Sequence, residues 1–149
     1  TNLIGFNDNF SEGSHVFPPL ITKIYNATNN KEQSITLFGS GIAKREFLNS
    51  KELAKAILFT MNLEYTPELI NVGVGKDISI HDLMLLMCNV LDYNGKIIYD
   101  NSKPDGTLRK VLDVTLLNSL GFIAENNLKK DIKDIYEWYA DAQSLRKNI

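Results

Sequence analysis

"SITLFGSGIAKREFLNSKELAKAI", residues 34–57, reads as strand, turn, strand and helix in one uninterrupted run. "SITLFGSG" (34–41) is a short strand ending in glycines, the residues that release a chain into a turn. "REFLN" (45–49) is a second strand, and Ser50 is placed to cap the amphipathic helix of "KELAKAILFTMNLE".

The alternation continues on both sides. "SHVFPPLITKIYNATNN" (14–30) spaces apolar residues at 16, 17, 20, 21, 24 and 25, one face of a helix with Ser14 as its N-cap. Pro18 and Pro19 are tolerated only in its first turn. "ELINVGVG" (68–75) reads as a strand, and "SIHDLMLLMCNVLDY" (79–93) as a helix with Ser79 at the N-cap and Asp82 at N3. "GKIIYD" (95–100) is a further strand. "DVTLLNSLGF" (113–122) is a short helix ended by Gly121, and "LKKDIKDIYEWYADAQ" (128–143) a terminal helix. Strands alternating with helices predict an α/β protein with mixed short strands, one lobe without a complete doubly wound sheet.

At 149 residues the chain is long enough for one domain with its own core, and an apolar content of 44% can fill it. A net charge of −2 gives no global attraction for nucleic acid or an anionic membrane. The lone Cys88 excludes an internal disulfide framework and a CxxC metal site, and suits a reducing compartment. No run approaches the length of a membrane span and no signal-peptide pattern is present, so the expected location is cytoplasmic. The chain opens on "TNLIGFNDNF", which reads as the exit of a strand, without an initiator Met. A processed or cut chain with an upstream partner segment is therefore expected.

Several polar groups admit two readings. His15 is either a solvated residue at a helix start or a general acid/base, because imidazole changes protonation near neutrality. Arg45 is either an edge charge or a planar fork for a diphosphate. Phe38 either packs inward or offers a ring for stacking. "SKPDGTLRK" (102–110) is a solvated turn or, through Lys103, Asp105, Arg109 and Lys110, a nucleotide clamp. Gly73 and Gly75 form a plain turn more readily than a phosphate loop, because GxGxxG is lacking. Cys88 reads as a buried thiol, and Tyr136, Trp138 and Tyr139 as a packing face.

Three stretches, "TNLIGFNDNF…SHVFPPLI", "FGSGIAKREFLNSKELAKAI" and "INVGVGKDISI…SKPDGTLRKVLDV", together resemble the C-terminal half of the GDP-L-fucose synthase family. That family is a branch of the extended short-chain dehydrogenases/reductases, which have a Rossmann-like NAD(P)-binding fold. The resemblance runs from residue 1 to about residue 140, and order makes it more specific than any single motif. It implies that residues 1–149 are a substrate-binding part, with the N-terminal NADP-binding Rossmann part absent. The implied reaction is 3,5-epimerisation of GDP-4-keto-6-deoxymannose followed by NADPH-dependent 4-keto reduction.

The resemblance also implies residue roles. His15 matches the acid/base histidine of the SHV motif, whose cysteine partner would lie upstream and is not Cys88. Thr1, Asn2 and Leu3 match a stretch bordering the nicotinamide of NADP(H), which would be held mainly by the missing half. Lys23, Phe38, Arg45, Asp105 and Lys110 match positions on the GDP-sugar side, with Phe38 where bacterial members usually carry Trp and Asn49 where members often carry His. No metal is implied. The full enzyme is expected to be a homodimer, with no nucleic-acid or membrane partner. The rival expectations are a non-catalytic GDP-sugar-binding module or truncated homologue, another NAD-dependent nucleotide-sugar epimerase/dehydratase, or a domain that merely keeps the fold.

Overall fold

A computed structural model describes residues 1–11 and 13–147. In chain order the elements are β1 (Asn2–Ile4), α1 (Phe17–Asn30), β2 (Ser34–Phe38), β3 (Lys44–Arg45), β4 (Phe47–Asn49) and α2 (Ser50–Met61). They continue as β5 (Ile78–Ser79), α3 (Ile80–Val90), β6 (Lys96–Asp100), β7 (Arg109–Lys110), α4 (Thr115–Ser119) and α5 (Leu128–Lys147).

The strands form three small sheets. β1 pairs in parallel with β4, β2 in parallel with β6, and β3 lies between β5 (antiparallel) and β7 (parallel). This is the expected mixed α/β lobe. α1, α3 and α5 pack together over β2, and the core fills from their apolar stripes. Phe17, Leu20, Ile21, Ile24 and Ala27 of α1 meet Leu83, Met84 and Met87 of α3 and Ile132, Ile135 and Tyr139 of α5. These spacings of three and four residues keep one helix face inward.

Four local expectations are corrected. Residues 68–75 form no strand; the Val74 and Gly75 N–H groups are donated to the Glu46 carboxylate instead of a ladder. Ser14 does not cap α1: Val16 stands at the N-cap, because a helix starting at Ser14 would put Pro18 and Pro19 beyond its first three positions, where an N–H is needed for the i→i−4 bonds. Asn49, rather than Ser50, caps α2 by accepting from Lys51 N at 2.9 Å. The strand expected over 45–49 is broken at Glu46 into β3 and β4. Ser79 does cap α3, accepting from Asp82 N as its spacing predicts.

Glu46 explains that break. It is fully buried, and its carboxylate accepts from Val74 N, from Gly75 N at 2.7 Å and from Leu112 N at 3.0 Å. Its main-chain oxygen accepts from both N and Nδ2 of Asn2 at 3.0 Å. A side chain at Gly73 would run into the same carboxylate, so that position has room only for glycine. Charge-assisted bonds from backbone donors offset the cost of burying the carboxylate.

Two stability predictions follow from this packing. Glu46→Ala removes the acceptor of the Val74, Gly75 and Leu112 N–H groups and leaves a cavity where a fully buried side chain stood, and should lower unfolding free energy in urea by about 2–4 kcal/mol; a loss below about 1 kcal/mol contradicts the clamp. Asp131, in the first turn of α5, is half-buried; burial pushes its carboxyl up, against the pull of the hydrogen bond from Asn49 Nδ2 at 2.6 Å. The native state therefore holds this proton more tightly than the unfolded chain, and stability falls as pH rises through the raised value. Asp131→Asn, which keeps the acceptor for Asn49, should raise the thermal midpoint at neutral pH and lose that advantage in acid. Equal midpoints at neutral pH would remove Asp131 from this role.

Candidate functional site

The residues that open β1, precede α1, close β3 and run out of β7 converge on a cleft of ≈720 Å³. Thr1 and Asn2 form one wall, Ser14, His15 and Val16 a second, and Arg45, Lys110, Val111 and Leu112 the third. Glu46 sets the distances between these segments from behind, because it binds both Asn2 and Leu112. An adjoining, more apolar cleft of ≈470 Å³ is lined by Lys23, Leu37, Phe38 and Ile80 and shares Ser14 and Val16 with the first.

Pairing of β3 with β7 determines how charge meets the first cleft. Arg45 lies opposite Lys110, and Lys44 opposite Arg109, so two cation pairs occupy opposite faces of a narrow sheet. On the outer face Asp77 forms an ion pair with Arg109, whose guanidinium holds the Asp77 carboxyl below the usual carboxylate range. On the cleft face no carboxylate pairs with Arg45 or Lys110 among the described residues. Like charges directly opposite each other repel. Such a face has a positive potential that favours an anion.

The guanidinium of Arg45 is aimed by the backbone. Its Nη1 donates to Lys44 O at 2.7 Å and to Thr107 O at 2.6 Å. One nitrogen is thereby fixed, and the rest of the fork keeps its donors for a ligand. His15 is exposed in the cleft wall and makes no hydrogen bond among the described residues, so both ring nitrogens are open to a substrate.

In the second cleft Phe38 is 64% exposed, which excludes the core reading and leaves a ring face for stacking. Lys23 sits with its Nζ 4.7 Å from the centre of that ring and donates to Thr36 O. The sequence-expected residues Thr1, Asn2, His15, Arg45 and Lys110 are thus brought together, with Lys23 and Phe38 next door. Leu3 lies on β1 outside both clefts, and so does Asp105, whose carboxylate accepts from Ser40 N and Oγ. Those two hydrogen bonds hold its carboxyl below the ordinary range.

Sequence reasoning missed Glu46 and the hydrophobic wall of Val111 and Leu112. A glutamate between strand residues is a usable signal for the first; nothing in the pattern marks the second. Ser14 was read only as a cap, yet it borders both clefts and its buried Oγ has no hydrogen-bond partner among the described residues. The cysteine Cys88 is half-buried on α3, where burial pushes its thiol up, away from reactive thiolate chemistry. Among the described residues no cluster of His, Cys, Asp or Glu is arranged to hold a metal.

Comparison with known proteins places this geometry. The NAD dependent epimerase/dehydratase family model matches residues 1–73. A putative GDP-L-fucose synthase 2 of Arabidopsis thaliana is 41% identical over 142 residues, 95% of this chain and 43% of that protein. The GDP-L-fucose synthase of Escherichia coli K12 is 38% identical over 153 residues, covering 96% of this chain and 48% of its own length. Over nearly its whole length this chain is similar to GDP-L-fucose synthases. A crystal structure of a GDP-L-fucose synthetase from Naegleria fowleri superposes with a TM-score of 0.86 at 31% identity, over 97% of this chain and 45% of that one. The fold is therefore that of part of an extended short-chain dehydrogenase/reductase, as the sequence resemblance implies. The chain spans about half the length of the curated relatives it matches.

The unneutralised pair makes a test. Lys110→Ala should leave the ligand-free protein as stable or slightly more stable in thermal melts, because repulsion with Arg45 is relieved. It should at the same time weaken binding of GDP, used as an anionic probe. Loss of stability with full GDP affinity would contradict the assignment of this face.

Proposed function

We propose that this chain forms the GDP-sugar side of a GDP-L-fucose synthase, which epimerises GDP-4-keto-6-deoxymannose at carbons 3 and 5 and reduces carbon 4. The observation that carries this reading is the convergence of Thr1, Asn2, His15, Arg45 and Lys110 on one cleft, in a chain similar to enzymes of that name.

Arg45 and Lys110 hold the diphosphate. Their facing positions suit an anion with two phosphoryl groups, and the fork of Arg45 offers paired donors. Phe38 and Lys23 border the neighbouring cleft, where a nucleoside ring can stack and the ammonium can reach a phosphate or a hydroxyl. The sugar then extends toward His15. Its 4-keto group acidifies the hydrogens on carbons 3 and 5, and His15 acts as the group that holds and returns a proton there. An open imidazole in the wall of the cleft can serve as proton donor or acceptor without breaking an internal bond.

NADPH, when bound, supplies the hydride for carbon 4. The residues here that fit it are Thr1 and Asn2 at the cleft wall, with Leu3 following on β1. The Gly73–Gly75 turn does not fit its phosphates, because the Val74 and Gly75 N–H groups already face the Glu46 carboxylate. A second part of the protein is needed for the cofactor. Two features support such a part docking beside β1. β1 pairs only with β4 among the described strands, so its other edge is free to take a further strand. Beside it α2 leaves Leu58 and Met61 exposed. A cytoplasmic location and a homodimer belong to the same reading; no helix among the described residues is long and apolar enough to cross a membrane.

The test uses the full-length protein with GDP-4-keto-6-deoxymannose in deuterated water. His15→Asn should slow deuterium entry at carbons 3 and 5 by about 100-fold or more, the contribution of one acid/base group, and leave GDP affinity nearly unchanged. Arg45→Ala should weaken GDP-sugar binding by about 1.5–3 kcal/mol, the range of a charge-assisted contact. Unaltered exchange in the first variant removes His15 from the chemistry; unaltered affinity in the second removes Arg45 from the site.

A further inference from the structure

The loop between β6 and β7 carries the charges that the nucleotide reading draws on, yet its acid does not face either cleft. Asp105 Oδ1 accepts from Ser40 N at 2.6 Å, and Oδ2 accepts from Ser40 Oγ at 2.8 Å. Both oxygens are turned toward the Gly39–Gly41 turn after β2. Gly39 has φ +76°, and a side chain there would collide with Asp105 Oδ1. The close approach of the two loops thus requires glycine at 39 and a short acid at 105.

Around this contact the loop is tied at three further places. It leaves β6 through an Asx turn, in which Asp100 Oδ1 accepts from Ser102 N at 3.1 Å and Ser102 Oγ at 2.6 Å. Beyond Asp105, Thr107 O accepts Arg45 Nη1 at 2.6 Å and Leu108 O accepts Lys44 N at 2.7 Å. Asp105 is therefore the side chain that anchors the middle of the loop, two residues before the carbonyl that fixes the Arg45 guanidinium.

We propose that Asp105 is a positioning residue for diphosphate binding, holding the 102–107 loop against Ser40 so that Thr107 O keeps Arg45 aimed into the cleft. It acts through Arg45 and touches no ligand. The proposal rests on the reading of Arg45 as an anion contact. It departs from the role that resemblance alone implies for Asp105, that of a residue on the substrate itself. With both carboxylate oxygens already accepting, a ribose hydroxyl would have to displace or share a Ser40 bond to reach it.

The test is a mutant cycle on the full-length protein, with GDP affinity read by calorimetry. Asp105→Ala and Ser40→Ala should each weaken GDP about tenfold, the scale of one lost orienting hydrogen bond to a charged group. The Asp105→Ala/Arg45→Ala double variant should bind no more weakly than Arg45→Ala alone, because the first change acts only through the second. In turnover, Asp105→Ala should raise KM while kcat stays within about twofold, the pattern of lost uniform binding. Asp105→Asn keeps an acceptor for Ser40 N and should recover most of the affinity. If Arg45→Ala weakens GDP while Asp105→Ala and Ser40→Ala do not, the brace is overturned and the anion site stands. If the two losses add in the double variant, Asp105 contacts the ligand directly and the proposal is overturned. If Arg45→Ala itself binds GDP normally, the anion-site reading falls and takes the brace with it.

Discussion

One buried carboxylate holds the working parts of this protein in register. Glu46 stands where an unbroken strand was expected, fully shielded from water, and satisfies itself on backbone N–H groups from two distant segments. An ionised group in such a place is tolerated only when donors surround it, so the segments that supply them are fixed as a consequence. Residues 73–75 are pulled out of strand pairing, Leu112 is drawn to the cleft wall, and Asn2 is tied to the same residue through its main-chain oxygen. The first cleft inherits its width from these bonds.

The same segment distributes charge. Breaking the strand at Glu46 leaves Lys44 and Arg45 as a two-residue strand whose side chains point to opposite faces, and β7 adds one cation to each. The outer face is balanced by Asp77. The inner face has no carboxylate partner for Arg45 or Lys110 among the described residues, and His15 lines the same cleft. On the proposed reading, anion binding and proton transfer fall to different segments of the cleft, so a diphosphate would be gripped without crowding the reacting sugar carbons. β1 has an unpaired edge among the described strands, and α2 leaves Leu58 and Met61 exposed beside it.

Much of the fold was legible because local rules and tertiary packing agreed. The stripes of α1, α3 and α5 and the short strands at 34–38 and 96–100 follow from spacing alone. Residues 68–75 were misread because an apolar, β-branched run reads as a strand by pattern. The donors that would have formed its ladder were claimed by a side chain twenty-eight residues away. Ser14 was misread because N-cap preference ignores that Pro18 and Pro19 must lie in the first turn, which moves the helix start two residues on. Resemblance named His15, Arg45 and Lys110, and the structure adds what spacing could not: that they share a cleft with Thr1 and Asn2. Asp105 and Leu3 lie outside it, because a residue's match to a motif says nothing of where its side chain is held. Glu46 left only the faint mark of an acid inside an apolar strand.

The central claim is that a GDP-sugar lies along these two clefts, with its diphosphate on Arg45 and Lys110. A crystal structure of the full-length protein with GDP tests it most directly. The account predicts phosphate oxygens within hydrogen-bond reach of Arg45 and Lys110, the nucleoside against Phe38, and the end that would carry the sugar directed at His15. A nucleotide bound away from Arg45, or with its phosphates turned from the β3–β7 face, would contradict it.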